Sequence, residues 1–326
     1  MAADHTPAQK PTGRASPMKL LYFNDYRLGV LKGDRVVDVT TVVQNVPHTG
    51  PGNLINGVIE RWAELRGPID KGAGTGTGLP VAQVKIRSPL PKPVNIDCMA
   101  VNYMEDGTRK EAAPINAFLK SPNCVVGHGE TVVLPDIPFS IFEGEAELAV
   151  VIGRRAKNVP ASRAMEHVFG YTNFIDGSAR DATTLGNSFY QVKSRDTFAP
   201  IGPYIVTADE IKDPHKLQVR LSVNGMLKQN YNTSDMANKI PRCIEWISGI
   251  HELEPGDVLA TGTNHRGLSA LQNGDTVELE IDSLGKLVVK VQDDLSRTWA
   301  RETRLEREQK GMKGYTPQLT GKYAKL

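Results

Sequence analysis

The segment FEGEAELAVVIG, residues 142–153, sets Glu143, Glu145 and Glu147 two residues apart and then runs into Ala149, Val150, Val151 and Ile152. Along a strand, residues i, i+2 and i+4 share a face. The three carboxylates therefore point one way, and Phe142, Ala146, Leu148, Val150 and Ile152 the other. An edge strand with a solvated face would explain this, but the acid-bearing face continues as Ala149 and Val151, which are apolar. Burying like charges side by side costs on the order of several kcal/mol unless something compensates. A divalent cation is the natural compensation, because hard ions such as Mg²⁺, Mn²⁺ or Ca²⁺ take carboxylate oxygens. A second polar run, GYTNFIDGSARD (residues 170–181), brings Asp176 in behind Phe174 and Ile175. Taken alone, Asp176 reads as a turn or helix-cap residue.

The chain around these carboxylates has 326 residues, 40% of them hydrophobic and 23% charged, with a formal net charge of +2. That is long enough for a sizeable core, and nothing in the balance points to nucleic acid or a membrane surface. No apolar run approaches the ~18 residues of a spanning helix. Cys98, Cys124 and Cys243 are odd in number and far apart, which suits a reducing cytoplasm and lacks zinc spacing. Residues 1–17 read as a disordered lead-in and 18–90 as a small N-terminal α+β domain with strand, turn and strand over 18–39. In that domain a helical stripe covers 53–65, and KGAGTGTG (71–78) reads as a flexible linker, since it lacks the strand, helix and Lys-Ser/Thr end of a phosphate loop. The large domain covers 91–295. It is rich in short strands, with one helix over RAMEHVF, capped by Ser162 and ended by Gly170, and another from about Asn238 to His251. The tail, 296–326, carries eight Lys/Arg against three Glu. It reads as a solvated, partly disordered tail, or alternatively as an arm that packs on a partner subunit through Trp299, Leu305 or Tyr315.

Taken in order, the pieces resemble the fumarylacetoacetate hydrolase superfamily. They are EAELAVVIG from Glu145, GYTNFIDGSARD from Gly170, KSRDTFAPIGP from Lys193, VNGMLKQNYNTSDM from Val223 and LEPGDVLATGT from Leu253. The resemblance covers about residues 95–292. It implies a β-rich α+β fold, a mixed β-sandwich roll with a few helices, and a homodimer. It also implies a metal site of Glu145, Glu147 and Asp176 holding Mg²⁺, with Mn²⁺ or Ca²⁺ as alternatives. A bidentate 2-oxo acid would fill the ion's open positions, and the ion would stabilise an enolate. The resemblance places Lys193 facing the substrate and Gly262 and Thr263 on its carboxylate. Asn102 and Tyr103 match the family's lid segment, with Tyr103 a candidate substrate contact. Arg180 falls in the substrate-side set and reads as pairing with a nearby carboxylate. Glu143, outside the matched triplet, is either a support for the ligands or a surface residue.

One departure bears on the reaction. Hydrolytic members carry Asn-Tyr-x-x-His-x-x-Glu on the lid, where the His-Glu pair activates water. This chain reads VNYMEDGTRKE from Val101, with Asp106 at the histidine position and Arg109 at the glutamate position. Asp106, Glu105 or Glu111 could serve as the base in a closed, dry pocket. A histidine from elsewhere could substitute, either His128 or, more pointedly, His265, which follows the Gly-Thr turn. The leading expectation is a cytoplasmic, metal-dependent hydrolase cleaving a C–C bond in a 2,4-dioxo acid from aromatic catabolism. An isomerase, hydratase or decarboxylase on a 2-oxo acid is the alternative, and a non-catalytic binding protein the third.

Overall fold

A computed structural model describes residues 17–181 and 188–324. The disordered lead-in expected over residues 1–17 falls almost wholly on 1–16, outside those residues. The fold is organised by one large twisted sheet. Its central run places Lys19–Phe23, Ala199–Thr207, Val168–Arg180, Ile141–Ile152, Val258–Ala260, Ile96–Met99 and Ala117–Leu119 side by side. A five-stranded sheet that includes Gln218–Val223, Thr276–Ile281 and Lys286–Gln292 packs against it. This is the β-rich α+β roll expected from the sequence.

The acidic strand lies in the interior of the large sheet, and every one of its twelve residues is buried. Phe142, Ala146, Leu148, Val150 and Ile152 enter one core with the five-stranded sheet. Ala149 and Val151 enter the other, shared with Leu20, Tyr22, Val58 and Ile59 from the N-terminal segment. The period-2 reading of its two faces therefore holds along its length. The N-terminal segment adds strands to this same sheet, with Leu20 opposite Ile205, and covers its face with two helices, Leu54–Glu60 and Trp62–Thr75.

Three local expectations need correction. Lys71 to Thr75 of the supposed linker belong to the second helix, because Leu65, Ile69 and Ala73 continue a buried i, i+4 row and Gly72 lets the helix close on Val42. The helix expected over RAMEHVF is only Ala161–Ala164 followed by a short 3₁₀ turn. Val168 and Phe169 instead open the strand whose first rung is Ile152 opposite Val168. The basic tail packs in part on its own chain, through Arg297 and Trp299, while Lys310 and Lys322 remain exposed. Arg297 is fully buried against Asp293 at 2.8 Å, and Trp299 donates its indole N–H to the Ser140 carbonyl at 2.8 Å.

Asp97 provides a test of the interior electrostatics. Its Oδ1 sits 2.9 Å from Nε2 of His251 and its Oδ2 has no partner among the described residues. Burial pushes its carboxyl up to about 6, against the opposing pull of His251. His251 is shifted up as well: burial opposes its charge, but the hydrogen bond to Asp97 outweighs that. Both folded values lie above the unfolded ones, so the stability they contribute is full at low pH and is lost as pH rises through them. Asp97→Asn is expected to stabilise the protein at pH 8 by no more than about 3 kcal/mol and to flatten the fall in melting temperature between about pH 4 and 6. A pH series of thermal melts with the same slope as the parent protein would refute this.

Candidate active site

The strand register builds the site. Ile141–Ile152 and Val168–Arg180 pair antiparallel with Glu145 opposite Asp176 and Glu143 opposite Ser178. Directly opposed residues share a face, so Asp176 joins the glutamates. One carboxylate oxygen from each of Glu145, Glu147 and Asp176 lies within 4.8 Å of the others, and all three residues are buried. The pairing demands glycine at 177, where a Cβ would stand 2.8 Å from the Phe198 side chain.

Four cations surround these acids. Lys193 Nζ donates to Glu145 Oε1 at 2.8 Å, to Ser178 Oγ at 2.7 Å, and to Asp176. Lys120 Nζ, wholly buried, donates to Asp176 Oδ1 at 2.6 Å and to the Gly177 carbonyl at 3.0 Å. Arg180 bridges Glu143, at 2.9 Å, and Glu145. Arg304, from the C-terminal arm, donates Nε to the other Glu143 oxygen at 2.9 Å. Glu143 is thus a buried anion clamped between two arginines, which settles its place as a support rather than a surface residue.

These neighbours divide the carboxylates. Burial works against charge on Glu145, but Lys193 and Arg180 outweigh it and hold its carboxyl well below the usual range. Burial also raises Glu147, and there the charges of Asp176 and Glu145 add to it, leaving that carboxyl well above its ordinary value. Its Oε2 accepts one backbone hydrogen bond, from Gly262 at 2.7 Å. Lys193 is shifted up because Asp176 and Glu145 overcome its burial, so it holds its proton firmly rather than releasing it, as a lowered pKa would require. Three converging oxygen donors, one of them short of positive charge, fit a hard divalent cation.

The remaining predicted residues fall into two groups. Thr263 is buried, and its hydroxyl accepts from Gln229 Nε2 at 2.8 Å. Gly262 adopts φ 87°, and a Cβ there would meet Asn102 at 3.0 Å. Asn102 ties the lid segment down through the Thr261 carbonyl at 3.0 Å and the Asn238 N–H at 2.9 Å. Tyr103 is buried edge-on against Tyr231, with ring centroids 5.0 Å apart. Asp106 and Glu111 are exposed. His128 lies away, on the Lys286 carbonyl at 3.1 Å.

Between these groups stands a pair that the lid motif did not announce. Glu105 Oε1 lies 2.6 Å from His265 Nδ1, and Glu105 Oε2 accepts the His265 backbone N–H at 2.9 Å. Burial would raise Glu105, but His265 prevails and lowers it. Glu105, at φ 55°, and Asp106, at φ 55°, hold left-handed backbone that non-glycine residues rarely adopt, and Val101 does the same at φ 54°. Such strain clusters at functional segments.

The fumarylacetoacetate (FAA) hydrolase C-terminal family matches residues 95–292, the span that carries all three carboxylates, Lys193 and His265. The chain belongs to the fumarylacetoacetate hydrolase family. Its relatives differ in reaction. It is 33% identical to a maleylpyruvate hydrolase of Aquipseudomonas alcaligenes over 84% of this chain and 99% of that one. It is 37% identical to a mitochondrial oxaloacetate tautomerase of Bos taurus over 79% of this chain and 84% of that one. Among solved structures, the maleylpyruvate hydrolase of Sphingobium sp. SYK-6, in complex with manganese(II) and pyruvate, superposes with TM-score 0.76. It has 35% identity over 85% of this chain and 99% of that one. Among the described residues no helix is long and apolar enough to cross a membrane.

Sequence reading missed Lys120 and Arg304, which pair with the acidic cluster, and Gln229, which holds Thr263. Lys120 ends the apolar run AFLK before Ser121 and Pro122, and a lysine closing an apolar run was the one available signal.

Proposed function

We propose that this chain is a metal-dependent hydrolase that cleaves a C–C bond in a 2,4-dioxo acid of the acylpyruvate type, as formed late in aromatic-ring breakdown. Glu145, Glu147 and Asp176 would hold Mg²⁺ or Mn²⁺, which supplies Lewis acidity toward the 2-oxo acid and stabilises an enolate. A homodimer accompanies this reading, supported by exposed Leu119, Phe189 and Tyr190 beside the free edge strand Ala117–Leu119.

The observation that carries the hydrolytic reading is the Glu105/His265 pair. Its carboxylate fixes the imidazole by a hydrogen bond to Nδ1, which leaves Nε2 as the working nitrogen. His265 takes a proton from a water whose oxygen adds to the distal acyl carbon. The bond between that carbon and the methylene breaks, its electron pair leaves as the pyruvate enolate, and protonation there gives pyruvate while the acyl part leaves as a carboxylic acid. Lys193 holds charge and a proton at the enolate side, Lys120 fixes Asp176, and Thr263 is the hydroxyl offered to the substrate carboxylate. Arg180 positions Glu145 through its ion pair.

The second reading is tautomerisation or decarboxylation of a 2-oxo acid. It is favoured by the 37% identity to an oxaloacetate tautomerase and by the absence of the lid histidine. Metal-stripped protein is expected to be inactive and to recover with added Mg²⁺ or Mn²⁺. Acylpyruvates should then lose their enol absorbance and release pyruvate plus a second acid, identified by mass. Tautomerised or decarboxylated product without cleavage would transfer the assignment to the second reading.

A further inference from the structure

The C-terminal arm begins beyond residue 292, where the matched family region ends, and it is anchored to the core. Arg297 stacks over Phe142 with its guanidinium 4.7 Å from the ring centre. Gln272 Nε2 donates to the Trp299 carbonyl at 2.7 Å, and Arg301 pairs with buried Asp275 at 2.6 Å. Thr303 and Glu306 form a capping box at the start of the helix Arg304–Gln309. The backbone N–H of Arg304 then donates to the Leu268 carbonyl at 2.9 Å. The helix is thereby fastened to the turn that carries His265.

That docking makes the arm one wall of an open cleft of about 240 Å³, whose lining includes Glu105, Arg109, His265 and Arg266 opposite Arg304 and Leu305. Three guanidinium groups meet there. Glu105 is held at 2.6 Å by His265 and lies only 3.7 Å from Arg109 Nε, its carbonyl accepts from Arg266 Nη1 at 3.4 Å, and Arg266 Nε is buried without a partner among the described residues. Arg304 is tied to Glu143 through Nε and Nη2 and lies over the Tyr315 ring at 5.2 Å. Its Nη1 has no hydrogen-bond partner among the described residues. Through its ion pair with Glu143, Arg304 joins this cleft to the acidic cluster, where Glu143, Glu145, Glu147 and Asp176 face Lys120, Lys193, Arg180 and Arg304, four acids against four bases. A divalent cation added to that balance leaves an excess of two positive charges, which suits a dianion better than a monoanion.

We propose that the arm is part of the active site and that Arg304, with Arg266 and Arg109 across the cleft, holds a second carboxylate at the far end of the substrate. This rests on the metal-chelating 2-oxo acid head of the function above. It adds that a residue outside the family region selects dicarboxylic over monocarboxylic substrates. The arrangement suits the task because Arg304 Nη1, Arg266 Nε and the Arg109 guanidinium offer charge-assisted N–H donors around one cleft.

The test measures binding rather than turnover. Calorimetry on the Mn²⁺-loaded full chain would compare 2-oxoglutarate with 2-oxopentanoate, which match in chain length and differ in the second carboxylate. The wild type is expected to prefer the dicarboxylate by roughly tenfold or more. Arg304→Gln should bring the two within about threefold, while Arg304→Lys keeps part of the preference. Melting curves with and without Mn²⁺ would establish that each variant folds and takes up metal. No preference in the wild type would overturn the inference, as would a parallel fall for both ligands in Arg304→Gln, which marks a merely structural role through Glu143. Metal-dependent binding of neither ligand would remove the proposed function and this inference together.

Discussion

Glu147→Gln is expected to separate the stability of the protein from its metal affinity. Glu147 is 1% exposed and has two other carboxylates beside it, and burial and those charges together raise its carboxyl. The amide of glutamine keeps an oxygen for the Gly262 N–H and removes one of the crowded like charges, so the metal-free variant should melt no lower than the parent. The same change deletes one of three anionic donors for a hard cation. At a concentration a hundredfold above its dissociation constant, a bound ion stabilises the native state by about 2.7 kcal/mol. That increment, read as the Mn²⁺-dependent rise in melting temperature, should vanish in Glu147→Gln, and metal-dependent turnover should fall by about three orders of magnitude or more. Retention of the full Mn²⁺ shift would place the ion elsewhere. A large drop in metal-free stability would mean that the carboxylate is held in place by partners other than those described.

The legibility of this site in the sequence followed the range of the interactions that build it. Glu145 and Glu147 could be paired from the sequence because a strand repeats every two residues, and the apolar company of Ala149 and Val151 showed that their face is buried. Asp176 could not be placed opposite Glu145 from spacing, since strand register is set by packing across the whole ladder, and only the family resemblance brought the two together. Glu105 and His265 are 160 residues apart. No local pattern signals that the lid turn and the Gly-Thr turn meet. The packing of the arm is hidden in the sequence for a related reason. A run of basic residues looks solvated until its partners are known, and Asp293, Asp275 and Glu143 lie in other elements. The helix over RAMEHVF failed because an apolar run of that length fits either period, and the sheet offered Val168 a partner in Ile152.

His265→Asn is expected to lower kcat for acylpyruvate cleavage by roughly 10²–10⁴, the usual contribution of a positioned general base, with little change in Mn²⁺ affinity. The reasoning is geometric. His265 shares a carboxylate with its own backbone N–H, so Glu105 locks both the ring and the turn that bears it. Asparagine can retain the hydrogen bond toward Glu105 but cannot accept a proton at neutral pH. Glu105→Gln should cost less, because it loosens the ring and weakens support for the imidazolium without removing the base. Asp106→Asn, an exposed change, should leave cleavage within about twofold. The pattern of the three variants decides between bases. A large loss on Asp106→Asn with His265→Asn unaffected would return the role to the lid aspartate. If His265→Asn abolished cleavage yet spared enol–keto interconversion of oxaloacetate, then proton movement next to the 2-oxo group would not need the Glu105/His265 pair. The Glu105/His265 pair would then be the added element that turns an enolising site into a hydrolase.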